Sequence, residues 1–290
     1  MLGKYGGYLS DIADAITWAS SGTVSGVANN ATPANVISMS LGGTAPCPAT
    51  YQTAINGAIS RGVLIVVAAG NEGGGAMGAT PANCPGVIAV SATDINGACP
   101  TFSNYGPPAT ISGPGRTIMS TLNTGTTIPV AAPAGSSCIN YSGTSMATPH
   151  VAGVASLMLS VRPTLLPHHL AAMIRGTATA YPAVATASIN CRIQRCGDGI
   201  LNAANAVAAA QACATPPTVG TPATISEACN GDLDGNGVVS PLTDGLLAMR
   251  LAMGLAGTAV TNGALGTCAT RTTYAAIRAY MNRNCATQYP

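Results

Sequence analysis

Three short apolar runs, Asn35–Leu41 (NVISMSL), Val63–Ala69 (VLIVVAA) and Val87–Ala92 (VIAVSA), alternate with segments of helical period. Ile12, Ala15, Ile16 and Ala19 fall at i, i+3, i+4 and i+7, and Tyr51, Ile55 and Ile59 form a second stripe. Runs this short read as strands, and because they are apolar throughout, both of their faces are buried. Strands linked through helices run parallel. The chain therefore reads as α/β, a parallel sheet with helices on both faces. Gly and Pro clusters such as Gly73–Pro81 end these runs, and such loops are where this architecture keeps its chemistry.

Ser10 is placed to cap the first helix. A long helix is expected from Ser145 to Val161, ending before Pro163. Val151, Val154, Met158 and Val161 line one side and Ala152, Ala155 and Leu157 much of the rest, which predicts burial in the middle of the domain. Further helical patterns cover His168–Arg175 and Ile200–Gln211. Thr215–Ser226 (TPPTVGTPATIS) is rich in Pro and Thr and has no period, as a linker does. The division is a domain over 1–212, a linker over 213–227 and a small helical module over 228–290.

Only 7% of the 290 residues are charged and the formal net charge is +2, against a usual charged share of about 25%. No basic run exists to meet nucleic acid. Gly62–Ala69 is far shorter than the ~20 apolar residues of a membrane-spanning helix. Ten cysteines imply disulfides and an oxidising, extracellular compartment. The opening MLGKYGG has no apolar secretory core, so Met1 is expected to be an internal methionine or a late start.

Gly143-Thr144-Ser145-Met146-Ala147-Thr148-Pro149-His150-Val151-Ala152-Gly153 resembles the nucleophile segment of the subtilisin-like serine proteases. Ser38–Gly43 (SMSLGG) resembles that family's substrate-binding strand, and Ala68–Gly73 (AAGNEG) its oxyanion-hole turn. The resemblance implies a subtilisin-like fold and peptide or protein substrates. Ser145 would be the nucleophile, with the Asn71 side chain and the Ser145 backbone N–H holding the oxyanion. Ser40, Leu41 and Gly42 would bind the substrate main chain as an added strand, with Ala68 and Gly70 lining the pocket for the residue before the scissile bond. Independently, a Ser in the first turn of a buried helix sits among free N–H groups at the positive end of the helix dipole, where an oxyanion is stabilised.

The chain departs from the family in one respect. A serine protease uses a His base oriented by a carboxylate, and the family takes both from segments N-terminal to the region matched here. Before Ser145 the acids are Asp11, Asp14, Glu72 and Asp94, none in the family's context, and there is no His. His150 is five residues from Ser145, about 140° around a helix, and His168 and His169 read as surface or capping residues. The expectation is that the N-terminal strands are missing and that this chain alone hydrolyses peptides poorly. The alternative is a non-catalytic calcium-binding or adhesive protein on the same scaffold. An α/β-hydrolase around Gly143-x-Ser145 is excluded, because its chain order needs a His after the acid.

In the C-terminal module Asp232, Asp234, Asn236 and Ser240 offer side-chain oxygens, and Val238 a carbonyl, at the spacing of an EF-hand Ca²⁺ loop, with Gly237 at the sharp turn. The segment resembles a dockerin-like calcium loop and Gly245–Met253 the helix after it. Position 12 is Thr243, so Asp244 would close the loop after a one-residue insertion. Gly257–Thr273 has no carboxylate for a second loop, which argues against a cohesin-type partner. A Cys47–Cys84 bridge is expected between neighbouring strand ends and a small loop at Cys191–Cys196. Cys99, Cys138, Cys213, Cys229, Cys268 and Cys285 remain open to any pairing, and the spacings match no zinc site.

Overall fold

The computed structural model describes residues 6–182, 191, 196–212, 233, 243–252, 255–262, 264–265, 269, 271 and 273–284. In chain order the strands are β1 (Val36–Met39), β2 (Gly43–Thr44), β3 (Leu64–Ala68), β4 (Ala79–Thr80), β5 (Ile88–Thr93), β6 (Ala109–Pro114), β7 (Ile118–Asn123) and β8 (Ser136–Tyr141). The helices of the first domain are α1 (Leu9–Ala19), α2 (Ala49–Ser60), α3 (Thr144–Val161), α4 (Pro167–Gly176) and α5 (Ala203–Ala212). The apolar runs form the sheet β1-β3-β5-β6, parallel at every pairing. Alternation along β3 shows why both faces are apolar: Leu64 and Val66 join one core with α3, α4 and α5, while Ile65 and Val67 join the other with α1 and α2.

β6 was not anticipated, since its sequence ATISGP carries polar and turn-forming residues. Its hydroxyls find partners: Thr110 Oγ1 accepts the Ala89 N–H of the neighbouring strand at 3.2 Å, and Ser112 Oγ donates to the Cys196 carbonyl outside the sheet at 3.0 Å. β7 and β8 form an antiparallel hairpin, and β2 pairs with β4. Ser10 does not cap α1. Tyr8 is the extended residue before the helix, and the Ser10 hydroxyl, already inside it, donates to Asp11 Oδ1 at 3.3 Å.

α3 packs over all four strands of the sheet, yet it is not enclosed. Leu157 is 54% and Val161 37% exposed, and His150 and Gly153 are exposed on the same stripe. β1 beside it is the outer strand of the sheet. An apolar helix flank and an open strand edge thus adjoin on one side of the domain.

His169 is a capping residue but not a surface one. Its Nδ1 accepts the Leu166 N–H at 3.1 Å at the start of α4, and the side chain is fully buried. Burial, aided by neighbouring His168, lowers its pKa from 6.5 to about 4, and His168 shifts the same way through burial. Protonating Nδ1 would also break the cap. The unfolded chain therefore takes up a proton between pH 6.5 and 4 that the folded chain refuses. Stability is expected to be full above that window and to decline through it as pH falls. Urea unfolding of the parent and of His169→Asn, which keeps an acceptor at the Nδ1 position, should show a flatter dependence in the variant.

Cys47 and Cys84 are bridged, as expected from their strand ends. Cys191 lies within bonding reach of both Cys196 and Cys99, and the three buried sulfurs lie within 4.8 Å of one another. Cys99 therefore joins the expected Cys191–Cys196 pair. Cys138 is free and exposed on β8; Cys213, Cys229, Cys268 and Cys285 lie outside the described residues. Among the described residues, no helix is long and apolar enough to cross a membrane.

In the C-terminal module the helices Asp244–Ala252, Thr258–Thr261 and Tyr274–Asn284 gather Leu233, Leu247, Leu251, Val260, Ile277 and Tyr280 into their own core. Asp232, Asp234, Asn236, Val238 and Ser240 lie outside the described residues. Asp244 is described and is taken up below.

Candidate active site

Parallel pairing of Met39 with Val67 puts the carboxyl ends of β1 and β3 side by side. The segments that leave them, Ser40–Gly42 and Ala69–Gly73, meet the first turn of α3. That turn is anchored from below, because the Gly143 N–H donates to the Gly115 carbonyl just past β6 at 2.8 Å. Crevices at the carboxyl ends of parallel strands are where α/β sheets bind ligands.

The Asn71 side chain is held by one oxygen. Its Oδ1 accepts from the Thr144 N–H at 2.8 Å and from Thr144 Oγ1 at 3.0 Å, while Thr144 Oγ1 accepts the Gly70 N–H at 3.2 Å. Two donors on one end of the amide settle which end is oxygen. The NH₂ end takes no part in these bonds, and the residue is exposed. Thr144 uses its N–H, one of the donors a helix start leaves unpaired, and its hydroxyl together. Thr144 lies within the motif around Ser145, but this role is not legible along the chain, because the partner is 73 residues away.

Ser145 is the second residue of α3 and half-buried. Its Oγ donates to the Ser40 carbonyl at 3.4 Å, and Ser40 Oγ returns a bond to the Ser145 carbonyl at 2.7 Å. The second bond has its origin in Pro149. A helical N–H at that position would bind the carbonyl four residues back, and proline has none. The carbonyl of Ser145 is thereby released to the Ser40 hydroxyl, which ties the nucleophile candidate to the end of β1.

The remaining residues singled out from the sequence lie around this corner. Leu41 packs against the core beneath α1 and α2, and Gly42 is exposed. Ala68 is buried at the end of β3, and Gly70 is half-buried at φ +103°, where a side chain would collide with the Asn104 amide. His150 Nδ1 instead bonds the Met146 carbonyl at 2.8 Å on its own helix, and His168 and His169 belong to α4. None of the chain's three histidines is the partner of Ser145 Oγ. The arrangement brings the Ser145 hydroxyl, the Asn71 amide and the N–H groups of a helix start together at the ends of β1 and β3.

The sequence model described as Subtilase family matches residues 1–205. An extracellular protease of Xanthomonas campestris is 53% identical over 211 residues, which span 72% of this chain and 34% of that protein. An extracellular basic protease of Dichelobacter nodosus is 41% identical over 212 residues, 71% of this chain and 33% of that protein. Among solved structures, a protease from Pseudoalteromonas arctica superposes with a TM-score of 0.66 at 42% identity, covering 72% of this chain and 60% of that one. The chain spans about a third of the length of these two curated relatives. With the family's motifs gathered at one corner of a parallel sheet and most of the chain matched, this chain belongs to the subtilase family.

Proposed function

We propose that this chain is the nucleophile-bearing part of a secreted serine endopeptidase. One observation carries the reading: Asn71 is fixed through its oxygen by Thr144, the residue before Ser145 at the helix start, which supports its N–H end as the oxyanion donor. Ser145 Oγ attacks the scissile carbonyl carbon, and its proton passes to a His base. The oxyanion that forms is held by Asn71 Nδ2–H and the Ser145 N–H. The C–N bond then breaks as the base returns the proton to the leaving amine, and water hydrolyses the acyl-enzyme by the same steps. Ser40, Leu41 and Gly42 pair with the substrate main chain, and Ala68 and Gly70 border the pocket beside it.

The base and its carboxylate are supplied by chain preceding residue 1. Two features support this: the open edge of β1 and the exposed apolar stripe of α3, surfaces that a further layer of the same fold would cover. The relatives are named as extracellular proteases, in keeping with a secreted protein. The test compares peptide hydrolysis by residues 1–290 with that of the complete gene product, the protein with its upstream reading frame. The complete product is expected to hydrolyse peptides and residues 1–290 hardly at all; ordinary turnover by residues 1–290 would contradict the reading.

For the C-terminal module we propose a single calcium loop, with Asp232, Asp234, Asn236, the Val238 carbonyl, Ser240 and Asp244 as ligands. In its support, Asp244 is only 2% exposed, and its Oδ1 accepts the Leu233 N–H at 2.6 Å. The closing carboxylate is thus joined to the residue between the first two aspartates. A carboxylate oxygen has lone-pair capacity beyond one such bond. Ca²⁺ bound by these groups would neutralise the charge of the loop's carboxylates. Calorimetric titration of the full chain with CaCl₂ is expected to give one site in the range of about 10⁻⁷–10⁻³ M. Asp234→Ala should weaken it at least tenfold, on the order of one lost charged ligand; no heat at millimolar Ca²⁺ would remove the site.

A further inference from the structure

We infer that Asn104 is a positioning residue for the oxyanion turn, an inference that rests on the protease reading above. Asn104 lies outside every motif matched in the sequence and is 2% exposed. A buried amide must find partners for two donors and two acceptor sites. All of those partners lie in the turn that carries Asn71. Asn104 Oδ1 accepts the N–H groups of Glu72 at 3.1 Å and Gly74 at 3.0 Å, while Nδ2 donates to the Ala69 carbonyl at 3.0 Å and to Glu72 Oε2 at 2.7 Å. The backbone on either side continues the attachment, with Asn104 N–H on the Gly70 carbonyl at 3.0 Å and Gly73 N–H on the Phe102 carbonyl at 2.8 Å. Asn104 is itself fixed to the sheet, since Ser91 Oγ of β5 donates to its carbonyl at 2.7 Å.

The turn needs such a clamp. Gly70, Gly73, Gly74 and Gly75 surround Asn71, and glycine-rich backbone populates many conformations unless held. Gly70 is at φ +103° and Gly73 at φ +65°, with Asn104 packed where a side chain on Gly70 would be. Thr144 therefore orients the Asn71 side chain, and Asn104 fixes the backbone from which that side chain projects. An oxyanion donor acts only in the transition state and only if pre-aimed. Loosening this turn should lower kcat and leave KM nearly unchanged.

Two measurements test the inference. In residues 1–290, Asn104→Ala should make the Glu72 and Gly74 amides exchange with solvent about tenfold faster or more, while amides in β3 and β5 keep their protection. Unchanged exchange at Glu72 and Gly74 would overturn the clamp. In the complete gene product, Asn104→Ala should cut kcat by about 10- to 100-fold with KM within about twofold. The double variant Asn71→Ala/Asn104→Ala should be no slower than Asn71→Ala alone, because Asn104 acts through Asn71. Additive losses would make Asn104 a general stabiliser and overturn the inference. Should Asn104→Ala fail to fold, Asn104→Asp keeps both acceptors for the turn amides but loses both donors and sets a second carboxylate against Glu72. It should retain the Gly74 protection and still lose kcat; full kcat in that variant would count against the inference. If the unsubstituted complete product hydrolyses no peptide, the protease reading fails, and the exchange measurement still decides the clamp.

Discussion

Ser145→Ala in the complete gene product is expected to lower kcat by about 10⁶, the size measured for the corresponding deletion in a subtilisin. The two hydroxyls beside the proposed nucleophile are already engaged. Ser40 Oγ, the neighbouring hydroxyl, is committed to the Ser145 carbonyl at 2.7 Å, and Thr144 Oγ1 is enclosed between Asn71 and Gly70. The substitution removes one oxygen at a half-buried helix start, where Ala is a good helix former. The melting temperature should therefore move little, and KM should stay close to the parent value. A residual rate of about 10³–10⁴ over water is expected to survive from the oxyanion donors and substrate binding. Steady-state kinetics on a chromogenic peptide, beside a thermal melt, checks both parts. A loss below tenfold would place the nucleophile elsewhere.

The second large effect concerns Asn71. Asn71→Ala removes the side-chain N–H proposed to hold the oxyanion and should lower kcat by about 10²–10³, or about 2.7–4 kcal/mol, a figure whose reference measurement was made in a subtilisin. KM should hardly change, because the donor engages the tetrahedral oxyanion and not the ground-state carbonyl. Thr144→Val sharpens the argument. It keeps the backbone N–H on Asn71 Oδ1 but deletes the hydroxyl with both of its bonds, to Asn71 Oδ1 at 3.0 Å and from the Gly70 N–H at 3.2 Å, so the amide is still present but less firmly aimed. An intermediate loss of about tenfold is expected, the scale of about 1.4 kcal/mol. Equal KM and a graded kcat across parent, Thr144→Val and Asn71→Ala would match the geometry; a rise in KM with kcat unchanged would assign Asn71 to ground-state binding.

The residues most legible in the sequence were those whose environment follows from period or from a contiguous motif. Val63–Ala69 announced a buried strand because every residue is apolar, and β3 is buried along its whole length. The helix from Ser145 to Val161 appears as Thr144–Val161. β6 was missed because the polar hydroxyls of Thr110 and Ser112 find partners within the tertiary structure. Full enclosure of α3 was overestimated, since apolar composition cannot say which flank meets another layer. His169 was judged from its position after Pro167, whereas its burial depends on α4 packing against the sheet.

The site divides in the same way. Ser145, Asn71 and Ser40 sit in runs that resemble the family, so they could be found singly. Their connections could not. The Pro149 gap that releases the Ser145 carbonyl can be read along the helix, but its acceptance of Ser40 spans 105 residues. Asn104, in the segment Phe102-Ser103-Asn104-Tyr105-Gly106, has the composition of an ordinary turn. Its role is visible only once β5 and β6 bring that segment against Gly70–Gly74.

Ser145 is proposed as a nucleophile whose base lies outside residues 1–290. The most direct measurement is the rate at which a fluorophosphonate modifies the complete gene product and residues 1–290, with the modified residue mapped by mass spectrometry. One adduct is expected, on Ser145, forming at least about 10³-fold faster in the complete product, where a base would remove the Ser145 proton. An adduct on another residue, or equal rates in the two proteins, would contradict it.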